Sequence, residues 1–134
     1  MAGRIAFDTT FLIDLQKERS RGETDGPAHR FLAEDLDAEL HLSATALGEF
    51  AEGFESREDP LLTTVRELHV LLPIDEETAL EYGRITRALR ETGRLIGTND
   101  LWIAAASLAH DLPLVTANPG EFRRVGGLEI IAYR

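Results

Sequence analysis

Gly97-Thr98-Asn99-Asp100-Leu101-Trp102-Ile103-Ala104-Ala105-Ala106 reads as the opening of an apolar, Ala-rich helix with one carboxylate at its mouth. Thr98 is the expected N-cap, and Leu101, Ala104/Ala105 and Leu108 recur at helical spacing. Asp100 then falls in the first turn, where the helix dipole favours a negative charge. Two readings of Asp100 stand side by side: helix-start chemistry, or a metal ligand held by a rigid helix. Other carboxylates that start or follow elements in the same way would favour the second.

Outward from this stretch, helices alternate with short apolar runs. Downstream, His110-Asp111 end the helix, and Leu112 to Thr116 form a strand with Pro113 near its start. Asn118 to Phe122 form a turn or short helix, and Gly126-Gly127 turn the chain into a last strand, Leu128 to Tyr133. Upstream, Gly93 and Gly97 interrupt the chain after a longer helix. Asp75, Glu76 and Glu77 open that helix, and Ala79, Tyr82, Ile85 and Leu89 are expected on its inner face. His69 to Ile74 reads as a strand, and Pro60 starts a helix bearing Leu61, Val65 and Leu68. Leu40 to Ser43 alternates as a strand. Ser43 caps a helix whose stripe is Ala46/Leu47, Phe50 and Phe54, with Glu49 beside it. Pro27 opens a helix whose apolar face is Phe31, Leu32 and Leu36, after a polar loop over Glu18 to Gly26. At the start, Arg4 to Asp8 is a buried strand ending in an acid. Thr9 or Thr10 then opens a turn carrying Phe11, Leu12 and Leu15. Strands alternating with helices imply right-handed crossovers and a parallel sheet covered on both faces.

Composition narrows the function. With 134 residues, 43% hydrophobic and 28% charged, the chain is expected to be one globular domain with a real core. It has no cysteine, which excludes a disulfide framework and a Cys-based metal site. No apolar run approaches a membrane span, and the first residues lack a signal-peptide pattern, so a cytoplasmic protein without a membrane partner is expected. The net charge of -10 argues against broad adhesion to nucleic acid. It does not exclude an enzyme that meets nucleic acid locally, because carboxylates that bind cations contribute to it.

In an open α/β sheet, ligands bind beyond the carboxyl ends of the strands. Asp8 ends the first strand. Ser43 ends the second, with Glu49 in the following helix. Thr116 ends the fourth, followed by Asn118, and Asp100 begins the helix that feeds it. Three carboxylates from distant parts of the chain can meet there. Close, unpaired carboxylates bind protons or cations, and an oxygen-only set suits Mg²⁺ or Mn²⁺. Each acid also has a local reading: Asp8 as a turn cap, Glu49 as a helix-rim charge, Asp100 as a dipole partner.

Four segments bear a resemblance to a known family. Ile5 to Asp14, Leu42 to Gly53, Ile96 to Ala106 and Leu114 to Phe122 resemble, in order, the four motifs of the PIN-domain ribonucleases, most closely the VapC-type toxins of prokaryotic toxin–antitoxin modules. The resemblance covers nearly the whole chain. It implies one PIN domain over residues 1–134, a three-layer α/β/α fold with a central parallel sheet of about five strands, and metal-dependent endoribonuclease activity. Asp8, Glu49 and Asp100 match the family's Mg²⁺ or Mn²⁺ ligands. The fourth acidic position is occupied by Asn118, which adds no charge, and Glu121 stands three residues on as a substitute. Thr9 and Thr116 would be hydroxyl donors to the site or to a substrate phosphate. The resemblance also implies an RNA substrate, a cognate antitoxin chain wrapping helices near the site, and a homodimer or a toxin–antitoxin hetero-oligomer.

Arg84, Arg87, Arg90 and Arg94 recur on one face of the long helix, either as a solvated face paired with Glu81 and Glu91 or as a ridge that tracks RNA phosphates. Arg123 and Arg124, the four histidines and Trp102 carry no ligand spacing and read as surface or structural groups. Other classes fit less well. A receiver-like phosphoacceptor domain needs a lysine near its last strand, and Lys17 is the only lysine; an Asp-x-Asp phosphatase needs an acid where Thr10 stands. An RNA-processing PIN nuclease, or a catalytically weakened PIN-fold binding module with Asn118 as its support, is the alternative to the toxin.

Overall fold

The computed structural model describes residues 3–34 and 37–134. Five parallel strands form one sheet, in the order β3-β2-β1-β4-β5. They are β1 (Arg4–Phe7), β2 (Glu39–Ser43), β3 (Val70–Leu72), β4 (Leu114–Thr116) and β5 (Ile130–Ala132). Among the described residues, seven helices connect and flank them: α1 (Thr9–Ser20), α2 (Pro27–Glu34), α3 (Ala44–Ala51), α4 (Pro60–Leu68), α5 (Glu76–Glu91), α6 (Thr98–Ala109) and α7 (Pro119–Phe122). The chain winds from β1 outward to β3, then returns to the other side of β1 for β4 and β5. The direction of winding therefore reverses between β1 and β4. Helices leaving the two strands at such a reversal diverge and open a crevice at the strand ends.

Register makes this crevice specific. Phe7 pairs with Leu42 on one side and Val115 on the other, and the Asp8 amide donates to the Val115 carbonyl at 3.1 Å. The residues just beyond the ladder, Asp8 and Thr116, are thus neighbours.

The core lies on both faces of the central strands. Phe7 stacks on Phe11 at 4.2 Å, and Phe31 meets both rings edge-on. In α6, Ala104, Ala105 and Ala106 are buried with Leu101 and Ile103. Small side chains let this helix come close to its neighbours. Trp102 is only half-buried and stacks flat on Tyr82 of α5 at 3.8 Å.

Several boundaries differ from the sequence reading. The polar run after Lys17 is helical as far as Ser20, because Glu18 is buried rather than solvated. Its carboxylate accepts from the amides of Ala28 and His29, both at 3.0 Å, and pairs with His29 Nδ1 at 2.8 Å. One side chain so caps α2 and ties it to α1. Gly26 is required beside it, since a Cβ there would lie 2.3 Å from Glu18 Cδ. Phe54 falls beyond the end of α3, where it still packs against Phe50 at 5.1 Å. Ala79 is exposed, and Thr78 and Thr86 take the inward positions beside Ile85 and Leu89. Leu36 lies outside the described residues.

Glu18 is held below the usual glutamate range: burial pushes it up, but the two amides and His29 outweigh burial. Its stabilisation is therefore present above the ordinary value of 4.5 and is lost as pH falls below it. Glu18→Ala should lower the unfolding free energy by about 3 kcal/mol at pH 7, because buried amides lose a charged acceptor. Urea denaturation checks this, and the gap between wild type and variant should narrow in acid.

Candidate active site

Asp8 is the N-cap of α1, in extended backbone at φ −86° and ψ 174°. Its carboxylate, only 3% exposed, is held on three sides. Oδ1 accepts from the Thr10 hydroxyl at 2.6 Å and the Phe11 amide at 3.2 Å, and Oδ2 accepts from the Thr116 hydroxyl at 2.5 Å. That last bond spans the crevice between β1 and β4. Each carboxylate oxygen has two lone pairs, so Oδ2 keeps one to offer. Burial raises the pKa of Asp8 despite these donors.

Glu49 enters from α3. Thr9 donates to its Oε1 at 2.6 Å, and the Asn99 amide donates to its Oε2 at 3.3 Å. Both oxygens retain acceptor capacity. Asp100 lies in the first turn of α6, as expected, but Thr98 is not the cap. Gly97 occupies that position without a side-chain bond, and Thr98 is the first helical residue. Glu121, in the first turn of α7, accepts from the exposed Asn118 amide at 3.2 Å.

The electrostatics tie these groups together. The pKa of Asp100 is pushed up to about 6. Burial is the largest cause, followed by the charges of Glu121, Glu49 and Asp8, and then by a hydrogen bond with Glu121. A helix N-terminus normally favours an anion, so here burial and the neighbouring carboxylates together outweigh the dipole. Among the described residues, none of these four acids pairs with Lys, Arg or His. Nor do any three Asp, Glu, His or Cys side chains among the described residues stand close enough to enclose a metal ion. The carboxylates share a field without closing into a shell. Their chemistry nonetheless fits a hard divalent cation: every donor is oxygen, acceptor capacity remains, and the charge has no counter-charge.

Thr9 and Thr116 donate their hydroxyl hydrogens to Glu49 and Asp8, which is the first of the two roles expected of them, and Thr116 is fully buried. Glu121 lies close enough to Asp100 for its charge to act on it, and Asn118 donates to Glu121. Arg84, Arg87 and Arg90 are exposed on α5, with Arg84 paired to Glu81 at 2.7 Å and Arg87 to Glu91 at 3.2 Å. Arg94 does not continue that face. It lies past the end of α5, after Gly93 turns the backbone at φ 67°. Thr10 and Asn99, which hold Asp8 and Glu49, have no separate signal in the sequence, because their roles depend on contacts across the fold.

Comparison with known proteins agrees with this architecture. The family model described as PIN domain matches residues 5–128. The chain is 32% identical over 123 residues to Ribonuclease VapC1 of Methanocaldococcus jannaschii, covering 91% of this chain and 81% of that protein. It is also 32% identical over 126 residues to Ribonuclease VapC1 of Haemophilus influenzae strain R2866, covering 91% and 92%. Among solved structures, VapBC-1 from nontypeable Haemophilus influenzae superposes with a TM-score of 0.80 at 28% identity, covering 97% of this chain and 98% of that one. VapBC2 from Rickettsia felis, bound to a promoter DNA fragment, shares the fold with a TM-score of 0.81 at 21% identity, covering 98% and 99%.

The raised pKa of Asp100 has a sign that can be tested. Between its ordinary value of 3.8 and about 6, the folded chain holds a proton that the unfolded chain has released. Stability without added cations should therefore fall as pH rises through that window, and Asp8 acts in the same direction. Asp100→Asn should flatten this slope. Mg²⁺ at pH 7.5 should raise the melting temperature of the wild type and leave that of the variant nearly unchanged, as thermal denaturation will show.

Proposed function

The chain belongs to the PIN-domain family, and from that footing we propose that it is an RNA-cleaving nuclease, the toxin of a VapBC-type toxin–antitoxin pair, acting with Mg²⁺ or Mn²⁺. The observation that carries the catalytic part is the set of uncompensated carboxylates at the β1/β4 crevice, where burial together with their repulsion lifts Asp100 to about 6. Asp8, Glu49 and Asp100 would hold the cation, with Glu121 in the fourth place and Asn118 positioning Glu121. Bound there, a divalent cation supplies a water of lowered pKa and neutralises charge on the phosphodiester.

The rest of the work falls to the chain. Thr10, Thr116 and the Phe11 amide fix Asp8 against rotation, and Thr9 with Asn99 fixes Glu49. Asp8 is buried and Glu49, Asp100 and Glu121 are partly so, which weakens the screening of their charges by water. An approaching RNA phosphate is repelled while those charges are uncompensated. Substrate binding at the site is thus coupled to cation binding. Hydrolysis then adds water to the phosphorus and releases the 3′-oxygen.

The relatives named VapBC are complexes, and a partner has a natural seat on this chain. An apolar groove of about 210 Å³ runs between α1, α2, α3 and α4, with Leu15, Leu32, Phe50 and Leu61 in its walls and Arg19 and His29 among its polar residues. An amphipathic segment of an antitoxin fits such a groove, and the acidic crevice would attract a basic side chain from it. The weakened binding-module reading rested on Asn118, and the charge of Glu121 beside Asp100 favours the nuclease reading over it.

Expression of the chain alone should arrest growth and generate new RNA ends, and co-expression of the adjacent antitoxin gene should relieve both. Asp8→Ala, Glu49→Ala and Asp100→Ala should each reduce Mn²⁺-dependent cleavage of RNA by at least about a hundredfold, while Asn118→Ala costs less than Glu121→Ala. Wild-type cleavage in Asp8→Ala, or cleavage that survives chelation, contradicts the reading.

A further inference from the structure

The groove beside α1 differs in charge from the rest of the molecule. The chain has 24 acidic and 14 basic residues, yet among the described residues no carboxylate lines this groove. Its titratable lining is Arg19, His29 and His69. His29 is paired through Nδ1 with Glu18 at 2.8 Å, so any charge on it is already answered. His69 donates Nδ1 to the Val65 carbonyl at 2.6 Å, and burial holds it below the usual histidine range, which keeps it neutral. Arg19 is left. It is exposed, and it pairs with no carboxylate among the described residues.

Helix α1 sets where this charge stands. Leu12, Leu15, Gln16 and Arg19 recur at three- and four-residue steps, so they form one stripe of the helix, and all four line the groove. The stripe leads away from the crevice. At the crevice end, Thr9 of α1 donates to Glu49 at 2.6 Å, and Phe50, the next residue of α3, is in the groove wall. At the other end, Arg19 falls in the last turn of α1. At 1.5 Å of rise per residue, the step from Thr9 to Arg19 separates the two ends by roughly 15 Å. The groove is thus an apolar trough with carboxylates beyond one end and an uncommitted guanidinium at the other.

We infer that the antitoxin segment seated in this groove carries opposite charges at its two ends, a base that meets the crevice carboxylates and an acid that meets Arg19. An apolar trough alone accepts many sequences in either direction, whereas two unlike ends admit one direction. The spacing is also set: the acid and the base stand about ten residues apart if the segment is helical and about five if it is extended. A guanidinium suits the acid end, because its planar fork can take a carboxylate through two parallel bonds. The inference rests on the toxin–antitoxin reading above, and it makes Arg19 a determinant of which antitoxin is accepted.

The test titrates the purified antitoxin encoded beside this gene into wild type, Arg19→Glu and Arg19→Gln by calorimetry, and follows Mn²⁺-dependent RNA cleavage with and without it. Arg19→Glu should weaken antitoxin binding by at least about tenfold and Arg19→Gln by less, with a shallower salt dependence in both. Cleavage without antitoxin should stay at the wild-type rate, because Arg19 stands at the far end of α1 from the crevice. Changing the acids of the antitoxin's toxin-binding segment to Arg, one at a time, should yield one variant that prefers Arg19→Glu over wild type. Should Arg19→Glu fail to fold, Arg19→Gln and the same antitoxin variants against wild type carry the comparison. Wild-type affinity in Arg19→Glu, or no antitoxin variant that prefers it, overturns the inference. A dimer of the chain alone that Arg19→Glu splits in sedimentation assigns the groove to a second copy and overturns it as well. A wild type that binds the antitoxin yet cleaves no RNA overturns the nuclease reading, and the affinities still decide the role of Arg19. A wild type that binds no antitoxin overturns both the inference and the toxin–antitoxin reading.

Discussion

Four carboxylates with no cationic partner among the described residues are held within one another's field at the crevice between β1 and β4, and most of the structure can be understood as what keeps them there. Burial raises the pKa of both Asp8 and Asp100, and at Asp100 the like charges of Glu121, Glu49 and Asp8 raise it further. A fold tolerates this only if each acid is anchored by something stronger than the repulsion. Asp8 is anchored by a cap and two hydroxyls, and Glu49 by a hydroxyl and an amide. Asp100 is anchored by the rigid, Ala-rich helix behind it.

Those anchors come from far apart in the chain. Thr116 reaches Asp8 across 108 residues, Asn99 reaches Glu49 across 50, and Thr9 reaches Glu49 across 40. Parallel topology makes this possible, because it places the ends of β1, β2 and β4 on one side of the sheet. The aromatic cluster of Phe7, Phe11 and Phe31 then sets the position of α1, and with it the cap at Asp8. Function and packing thus share the same residues at β1 and the start of α1.

Much of this was legible in the order of the residues. Short apolar runs alternating with helical stripes predict a parallel sheet, and acids at the ends of such runs predict a shared crevice. Asp8, Glu49 and Asp100 are found by that argument because strand ends and helix starts are local signals. What escaped is what local signals do not encode. Glu18 sits in a run as polar as any loop, and only the arrival of α2 over its side chain makes it a buried cap. Thr98 has the right chemistry for a cap, yet the backbone places Gly97 there. Arg94 keeps the spacing of its neighbours, but a left-handed glycine at 93 ends the helix first. Thr10 looked like a missing acid. Its value is the hydrogen it gives Asp8.

The account depends on Asp100 being lifted by burial and by its neighbours and released by a cation. Carbon-13 NMR of the Asp100 side-chain carboxyl, followed against pH, reads this directly. Without divalent cations the midpoint should lie at about 6, and in saturating Mg²⁺ it should fall well below that, with Asp8→Asn lowering it even in the absence of cation. A midpoint near the ordinary aspartate value of 3.8 that responds to neither Mg²⁺ nor Asp8→Asn would contradict the account.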